Sequence, residues 1–376
     1  MEILIEDHQM LLNSATGYLA KKQSVAAFRA LRDGDEPLGY DATAYRQMAD
    51  LGWMGLVLPE EYGGSDFGYR AAGLIAEQMG RNLTAMPFVS TAILSATILR
   101  EIGGDMLTEW GMKIAMGECV VALAIDEGAK HRPGQIKTQA VRDGDGYLLS
   151  GDKSFIADGM GADRLIVSAM LEGELTLFWL DPLEACFGTS CCDIAPQKLL
   201  DHRNYASFYI KNCRLNENTL IAKGEVAEKA LAKALCAGRA VVAAEQLGMA
   251  KECAARTVEY LNTRKQFGVL IGVFQTLQHR MAHLYCEIEQ TSSLVAQALN
   301  AIDENAEECE KLSRAAKAKV AKLGKLATEE AVQMHGGIGM TDELDLGLFM
   351  KRDRVLTEFL GDAACHIEWL LREQKI

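Results

Sequence analysis

Two short segments carry residues suited to gripping a phosphate or pyrophosphate. The first is Arg264-Lys265-Gln266-Phe267-Gly268, followed closely by Gln275. The second is Gln333-Met334-His335-Gly336-Gly337-Ile338-Gly339. An arginine at a helix end offers phosphate a fixed fork of charged donors. Paired glycines let backbone N–H groups approach a ligand closely, because no Cβ stands in the way. Singly, each segment has a plainer reading. Arg264 and Lys265 before Gly268 read as helix C-cap chemistry, and Gly336-Gly337 reads as a helix stop. Their joint occurrence carries more weight than either alone.

A third residue stands out by its surroundings. Glu245 has Val241, Val242, Gly248 and Met249 as its helical neighbours. A lone carboxylate on an apolar stripe is costly unless it has a task or a partner. Desolvation makes such a group readier to take up a proton, as a general base must. The competing reading is an ion pair with a basic residue inside a helix bundle.

Three compositional zones must position these residues. Residues 1–115 read as a helical N-terminal domain, with Leu11, Leu12, Ala15, Tyr18 and Leu19 at helical spacing and a second apolar run at 88–102. Within it, 58–64 is a turn by its proline and glycines. Residues 116–220 change to short β-rich runs at 120–124, 136–141, 147–150, 164–170, 175–180 and 206–210, separated by turn residues such as 143–146. That spacing predicts a small β-barrel or sandwich. Residues 221–376 return to helix over about 225–266, 274–301 and 306–334 and read as a C-terminal helical bundle. Thr341 is placed to N-cap the next helix, with Asp342 and Glu343 in its first turn.

The two glycine-bearing segments at these relative positions resemble the flavin-binding C-terminal half of the acyl-CoA dehydrogenase family. The stretch Pro59-Glu60-Glu61-Tyr62-Gly63-Gly64 is similar to one in that family's N-terminal domain. The resemblance covers essentially the whole chain, and the order helices, β domain, four-helix bundle is the family's. It implies FAD as cofactor. Arg264 would contact the pyrophosphate and Phe267 the flavin or adenine region. Gln275 would sit near the adenosine, and Gln333, Gly336 and Gly337 would hold the ADP of a partner subunit's cofactor. Phe155, in Ser154-Phe155-Ile156-Ala157-Asp158-Gly159, would supply an aromatic ring to the isoalloxazine. Two departures mark a divergent branch. Ala157 stands where the family has a threonine hydroxyl, and Ile125-Asp126-Glu127-Gly128 replaces a Thr-Glu-Pro stretch, with Asp126 left at the flavin edge.

The resemblance also implies a base that takes the α-proton of an acyl-CoA thioester. Both positions the family commonly uses are vacant: Leu360 occupies the late-bundle loop position and Gly238 the one before Arg239. Glu245 lies seven residues beyond Gly238, about two turns and roughly 10 Å along the same helix face. A branch active on steroid or pimeloyl-type acyl-CoA resembles its Ala-Ala-Glu arrangement, so Glu245 is the expected base and Glu358 the alternative. His335 and His366 read as core or capping residues. A bulky, branched or ring-bearing acyl group is the expected substrate.

Composition bounds the rest. The chain has 376 residues and a net charge of −13, which disfavours nucleic acid and anionic membrane surfaces as partners. Ten cysteines include Cys191-Cys192, but none form a C-x-x-C pair and no Cys/His set stands at zinc spacing, so no metal is expected. No signal-like N-terminus and no spanning apolar run stand out, and a reducing cytoplasm fits best. The resemblance further implies an electron-transferring flavoprotein as electron acceptor and a homotetramer or α2β2 heterotetramer. The alternatives are a non-catalytic subunit of such a heterotetramer, or a flavin monooxygenase on the same fold.

Overall fold

A computed structural model describes residues 5–34, 36–182 and 191–373. The chain is mostly helical with a central β domain, as expected. By internal contacts it divides into two compact units. One gathers residues 1–29, 69–84 and 239–376; the other gathers 30–68 and 85–238. The first 115 residues are therefore shared between both.

The first unit is helical apart from a short antiparallel hairpin, Lys265–Gln266 with Val269–Leu270. Its N-terminal helix α1 (Glu6–Lys22) carries Glu6 and Asp7 in the first turn and Lys21 and Lys22 in the last, matching the helix dipole. Helix α2 (Val25–Asp33) follows. Two further N-terminal helices are α3 (Ala42–Asp50), in the other unit and N-capped by Asp41, and α4 (Gly68–Asn82). Helix α5 (Ala96–Ile102) and helix α6 (Gly104–Ala115) also belong to the second unit. A π-helical segment, Phe88–Ser95, leads into α5. The longest helix is α7 (Glu225–Thr263), 39 residues or about 58 Å. Every residue from 234 to 250 is buried, so α7 has no solvent-facing side there. Helix α4 crosses it in glycine contact. A Cβ at Gly80 would lie 2.0 Å from the Glu245 carbonyl oxygen, and one at Gly248 would lie 1.9 Å from that of Glu77. Neither position tolerates a side chain at this approach.

Helices α8 (Gln275–Asp303), α9 (Cys309–His335), α10 (Leu346–Glu358) and α11 (Ala363–Glu373) complete the bundle. The expected N-cap at Thr341 is corrected. Helix α10 begins at Leu346 with Asp345 before it, and the Thr341 hydroxyl donates to the Ile338 carbonyl instead. Asp342 and Asp345 accept from Arg29, and Asp345 also from Arg256. Long-range ion pairing thus claims Asp342, one of the two acidic residues that local spacing assigned to a helix dipole.

The second unit is built on a mixed sheet of eight strands. The strands are β1 (Val121–Ala124), β2 (Gln139–Asp143), β3 (Gly146–Ala157), β4 (Arg164–Leu171), β5 (Glu174–Leu180), β6 (Cys192–Pro196), β7 (Tyr205–Asn216) and β8 (Leu220–Lys223). Their order is β6-β7-β3-β2-β4-β5-β8, with β1 pairing the start of β4 and β2 its end, both in parallel. All six expected β runs are strands; β6 and β8 are additional.

Candidate active site

In the helical unit, α7 ends at Thr263, and Arg264 leads into a short hairpin, Lys265–Gln266 paired with Val269–Leu270, before α8 begins at Gln275. The Tyr260 ring, one turn before Arg264, stacks on His335 with centroids 4.2 Å apart. The Tyr260 hydroxyl also donates to the His335 carbonyl at 3.4 Å. His335 is the last residue of α9, immediately before Gly336-Gly337. The stack therefore brings the end of the helix that leads into the arginine turn against the double-glycine turn. His335 itself is buried, and its Nδ1 bonds to the Ala331 carbonyl at 2.7 Å, a structural role.

Both turns face outward. Arg264, Phe267, Gln275, Gln333, Gly336 and Gly337 are all exposed, Phe267 at 90%. Phe267 takes a left-handed φ of 53°, uncommon for a bulky residue, and Gly336 takes 66°. A Cβ built on Gly336 or Gly337 would meet no atom within 4 Å. The chain's own packing does not require Gly337 to be glycine, so the open backbone there suits close approach by a ligand or a second chain. The residue set, one guanidinium with two amides and a bare turn, fits a pyrophosphate-bearing cofactor.

Phe155 belongs to the β unit and sits in a bulge. Lys153 pairs with Phe208 and Ile156 with Ala206, so β3 carries one residue more than β7 across this stretch. Phe155 takes φ 55° there, and its N–H donates to the Gln197 side chain at 2.8 Å. The Ser154 N–H donates to the Asp126 carbonyl at 2.8 Å. Such bulges re-aim side chains and cluster near functional sites. The Asp126 carboxylate is held by His131 Nδ1 at 3.0 Å and the Arg132 N–H at 3.3 Å.

A buried ion pair not foreseen from sequence braces the same loop. Lys153 Nζ donates to Glu127 Oε1 at 2.6 Å and to Ser168 Oγ at 3.1 Å, and the lysine side chain is fully buried. Glu127 also accepts from the Lys137 and Thr138 N–H groups and the Thr138 hydroxyl. Burial works to push the Glu127 carboxyl up, but the bonds from Lys153 and Thr138 together hold it below its ordinary value. Burial pushes the Lys153 ammonium down against the pull of Glu127. Residues 125–128 thus form a loop tied through the Glu127 carboxylate.

Glu245 is 6% exposed and has a partner. Arg352 Nε and Nη2 both reach its Oε1 at 2.9 Å. The next residue on each helix pairs as well: Gln246 Nε2 donates to Asp353 Oδ1 at 2.9 Å. Two adjacent couples therefore lock α7 to α10. Burial of Glu245 alone no longer argues for chemistry, because the guanidinium gives the carboxylate a partner. Glu358 is half-buried and pairs with Arg354 one turn back at 3.0 Å. His366 is buried, with Nδ1 against Arg314 at 3.4 Å.

Leu360 is 2% exposed and adopts φ 58°. A left-handed leucine costs on the order of 1–2 kcal/mol. Lys317 holds this loop. Its buried ammonium donates to the carbonyls of Leu356 at 2.7 Å, Thr357 at 3.2 Å and Gly361 at 3.4 Å. Burial pushes Lys317 down to about 8. Burial pushes Asp353 up to about 6, with the Gln246 bond opposing. A cavity of about 240 Å³ opens between α1, α4, α7 and α8, lined among others by Arg70, Glu77, Lys251 and Ser292, but Glu245 does not line it. Among the described residues no helix is long and apolar enough to cross a membrane.

The fold, mostly helical with a central β domain, is that of a class of oxidoreductases. The chain belongs to the acyl-CoA dehydrogenase family: the model of the family's N-terminal domain matches residues 5–118 and that of its C-terminal domain matches 229–374. It is 30% identical over 354 residues to acyl-CoA dehydrogenase IpdE2 of Mycobacterium tuberculosis, covering 92% of this chain and 91% of that one. Among solved structures, a variant of the steroid ACAD Tcur3481-Tcur3483 aligns with a TM-score of 0.88 at 25% identity, covering 98% and 99% of the two chains. The ChsE4-ChsE5 complex from Mycobacterium tuberculosis shares the fold, with a TM-score of 0.88 at 21% identity over 100% of this chain and 99% of that one. The family is generally flavin-dependent, and the chain is an acyl-CoA dehydrogenase-type oxidoreductase.

Proposed function

We propose that the chain catalyses FAD-dependent α,β-dehydrogenation of a bulky, branched or ring-bearing acyl-CoA in a catabolic pathway. The observation that carries this reading is the Tyr260–His335 stack, which sets the helix end leading into the Arg264 turn against the residue preceding the double glycine. FAD, when bound, supplies the acceptor for the hydride that leaves Cβ. Arg264, Gln275 and Phe267 would hold it, with Gln333, Gly336 and Gly337 reaching the ADP portion of a partner subunit's cofactor. Phe155 would pack on the ring system. Exposed apolar residues near both turns, Phe274, Ile338 and Met340, support burial by another chain. By the family resemblance the proposed assembly is a homotetramer or an α2β2 heterotetramer, passing electrons to an electron-transferring flavoprotein in the cytoplasm.

Glu245 is the proposed base. Arg352 fixes its orientation through Oε1, and Oε2 is the oxygen that would receive the α-proton. The Arg352 pair also favours a second reading, in which this chain is the non-catalytic subunit and a homologous chain brings the base. The likeness to the Tcur3481-Tcur3483 steroid ACAD supports both the pairing and the substrate class. The test is Glu245→Gln, which keeps shape and removes proton acceptance. With Glu245 as base, flavin content persists while flavin reduction by substrate falls by about 10²–10⁴. An unchanged rate assigns the base to the partner chain, and loss of reduction in Glu358→Gln assigns it to the late-bundle loop.

A further inference from the structure

Strand β7 carries a second bulge against β3. Cys213 pairs with Leu149 and Ile210 with Gly151, so Lys211 and Asn212 together oppose Ser150 alone. Asn212 takes a left-handed φ of 50°. Its N–H donates to Ser150 Oγ at 2.8 Å, and that hydroxyl donates to Asn212 Oδ1 at 2.9 Å. The extra residue resets the alternation of the strand and leaves Cys213 buried, 3% exposed. On the other side of β7, the Lys211 N–H donates to the Cys191 carbonyl at 2.6 Å, and Cys192 opens β6 opposite Ile210. The bulge and the strand pairing thereby gather three thiols. The sulfurs of Cys191, Cys192 and Cys213 all lie within 4.8 Å of one another.

We propose that Cys191, Cys192 and Cys213 bind a soft, thiolate-preferring metal ion. Thiolates bound to one zinc-sized ion at about 2.3 Å stand roughly 3.8–4.0 Å apart, so the three sulfurs need to close by less than about 1 Å. A sulfur-only set selects soft ions over magnesium or calcium. The half-buried vicinal pair gives an entry path, while buried Cys213 anchors the ion to the sheet. Each thiol that ligates gives its proton to solvent, so uptake strengthens with pH. Water or an exogenous thiol completes the coordination. The ion pins β6 to β7 across the bulge. No spacing in the sequence announces this site, because Cys213 comes from a different strand.

The test uses the full-length, reduced, metal-free protein under anaerobic conditions. Co(II) is titrated for its sulfur-to-cobalt charge-transfer absorbance, and Zn(II) in competition with a chromophoric chelator. One equivalent per chain, with the charge-transfer band and proton release, is expected. Cys213→Ser and Cys191→Ser should each weaken binding on the order of 10²-fold. Cys191→Ser spares the core, so it remains informative where the buried replacement fails to fold. Cys286→Ser, at an exposed thiol on α8, should change nothing. Wild-type affinity no tighter than that of Cys191→Ser overturns the proposal. So does conversion of these thiols to a disulfide with no measurable metal uptake.

Discussion

Arg352→Met tests whether the Glu245–Arg352 pair is a strut of the bundle. The two side chains are 13% and 8% exposed, so the replacement leaves a desolvated carboxylate without its partner. Breaking such a pair on one side costs about 3–5 kcal/mol, against 0–1 kcal/mol for an exposed pair. At roughly 2–4 °C per kcal/mol for a cooperative unit of about 150–250 residues, the melting temperature should fall by about 6 °C or more. Glu245→Leu combined with Arg352→Met removes both charges at similar volume and should recover most of that loss. Thermal melts of the four proteins, followed by helical circular dichroism, give the coupling directly. A loss below about 1 kcal/mol for Arg352→Met would falsify the buried-pair reading. So would single effects that merely add in the double variant.

The remaining expectations concern the cofactor grip, the β loop and the buried charges. Arg264→Ala should lower bound flavin, since a charge-assisted phosphate contact contributes about 1.5–3 kcal/mol; a full flavin complement in the purified variant would remove Arg264 from the site. Lys153→Met strands Glu127, 9% exposed at its side chain, and should destabilise the β unit by about 3 kcal/mol or more, read in melts; an unchanged melt would show the loop is held without it. Asp353, raised to about 6 from 3.8 by burial, binds its proton more tightly folded than unfolded. Its contribution is therefore full below about pH 4 and lost as pH rises through about 6. Wild-type stability relative to Asp353→Asn should fall by up to about 3 kcal/mol across that window, and a constant difference would refute the shift.

What contiguous residues carry was legible in the sequence, the order of helical and β-rich zones above all. The six expected strand runs announce themselves through β-rich composition between turn residues. Strands β6 and β8 did not, because each lies at an end of the sheet order and is half-buried or exposed along nearly its whole length, with no long apolar run to mark it. Pairings across distance were not legible either. Arg352 lies 107 residues from Glu245, and no periodicity couples them. The same holds for Lys153 with Glu127 and for Lys317 with the carbonyls around Leu360. Local spacing misplaced the α10 cap for a related reason: Arg29 and Arg256, distant in sequence, recruit Asp342 and Asp345.

The measurement that bears most directly on the chemistry is anaerobic bleaching of the flavin band by a panel of acyl-CoA thioesters. The protein is prepared alone and with any adjacently encoded homologue, then mixed with straight-chain, branched and ring-bearing substrates. Dehydrogenation predicts rapid loss of oxidised flavin absorbance with the bulky thioesters, with the enoyl-CoA product formed in equal amount. Flavin that is fully bound yet stays oxidised with every thioester, in both preparations, contradicts it.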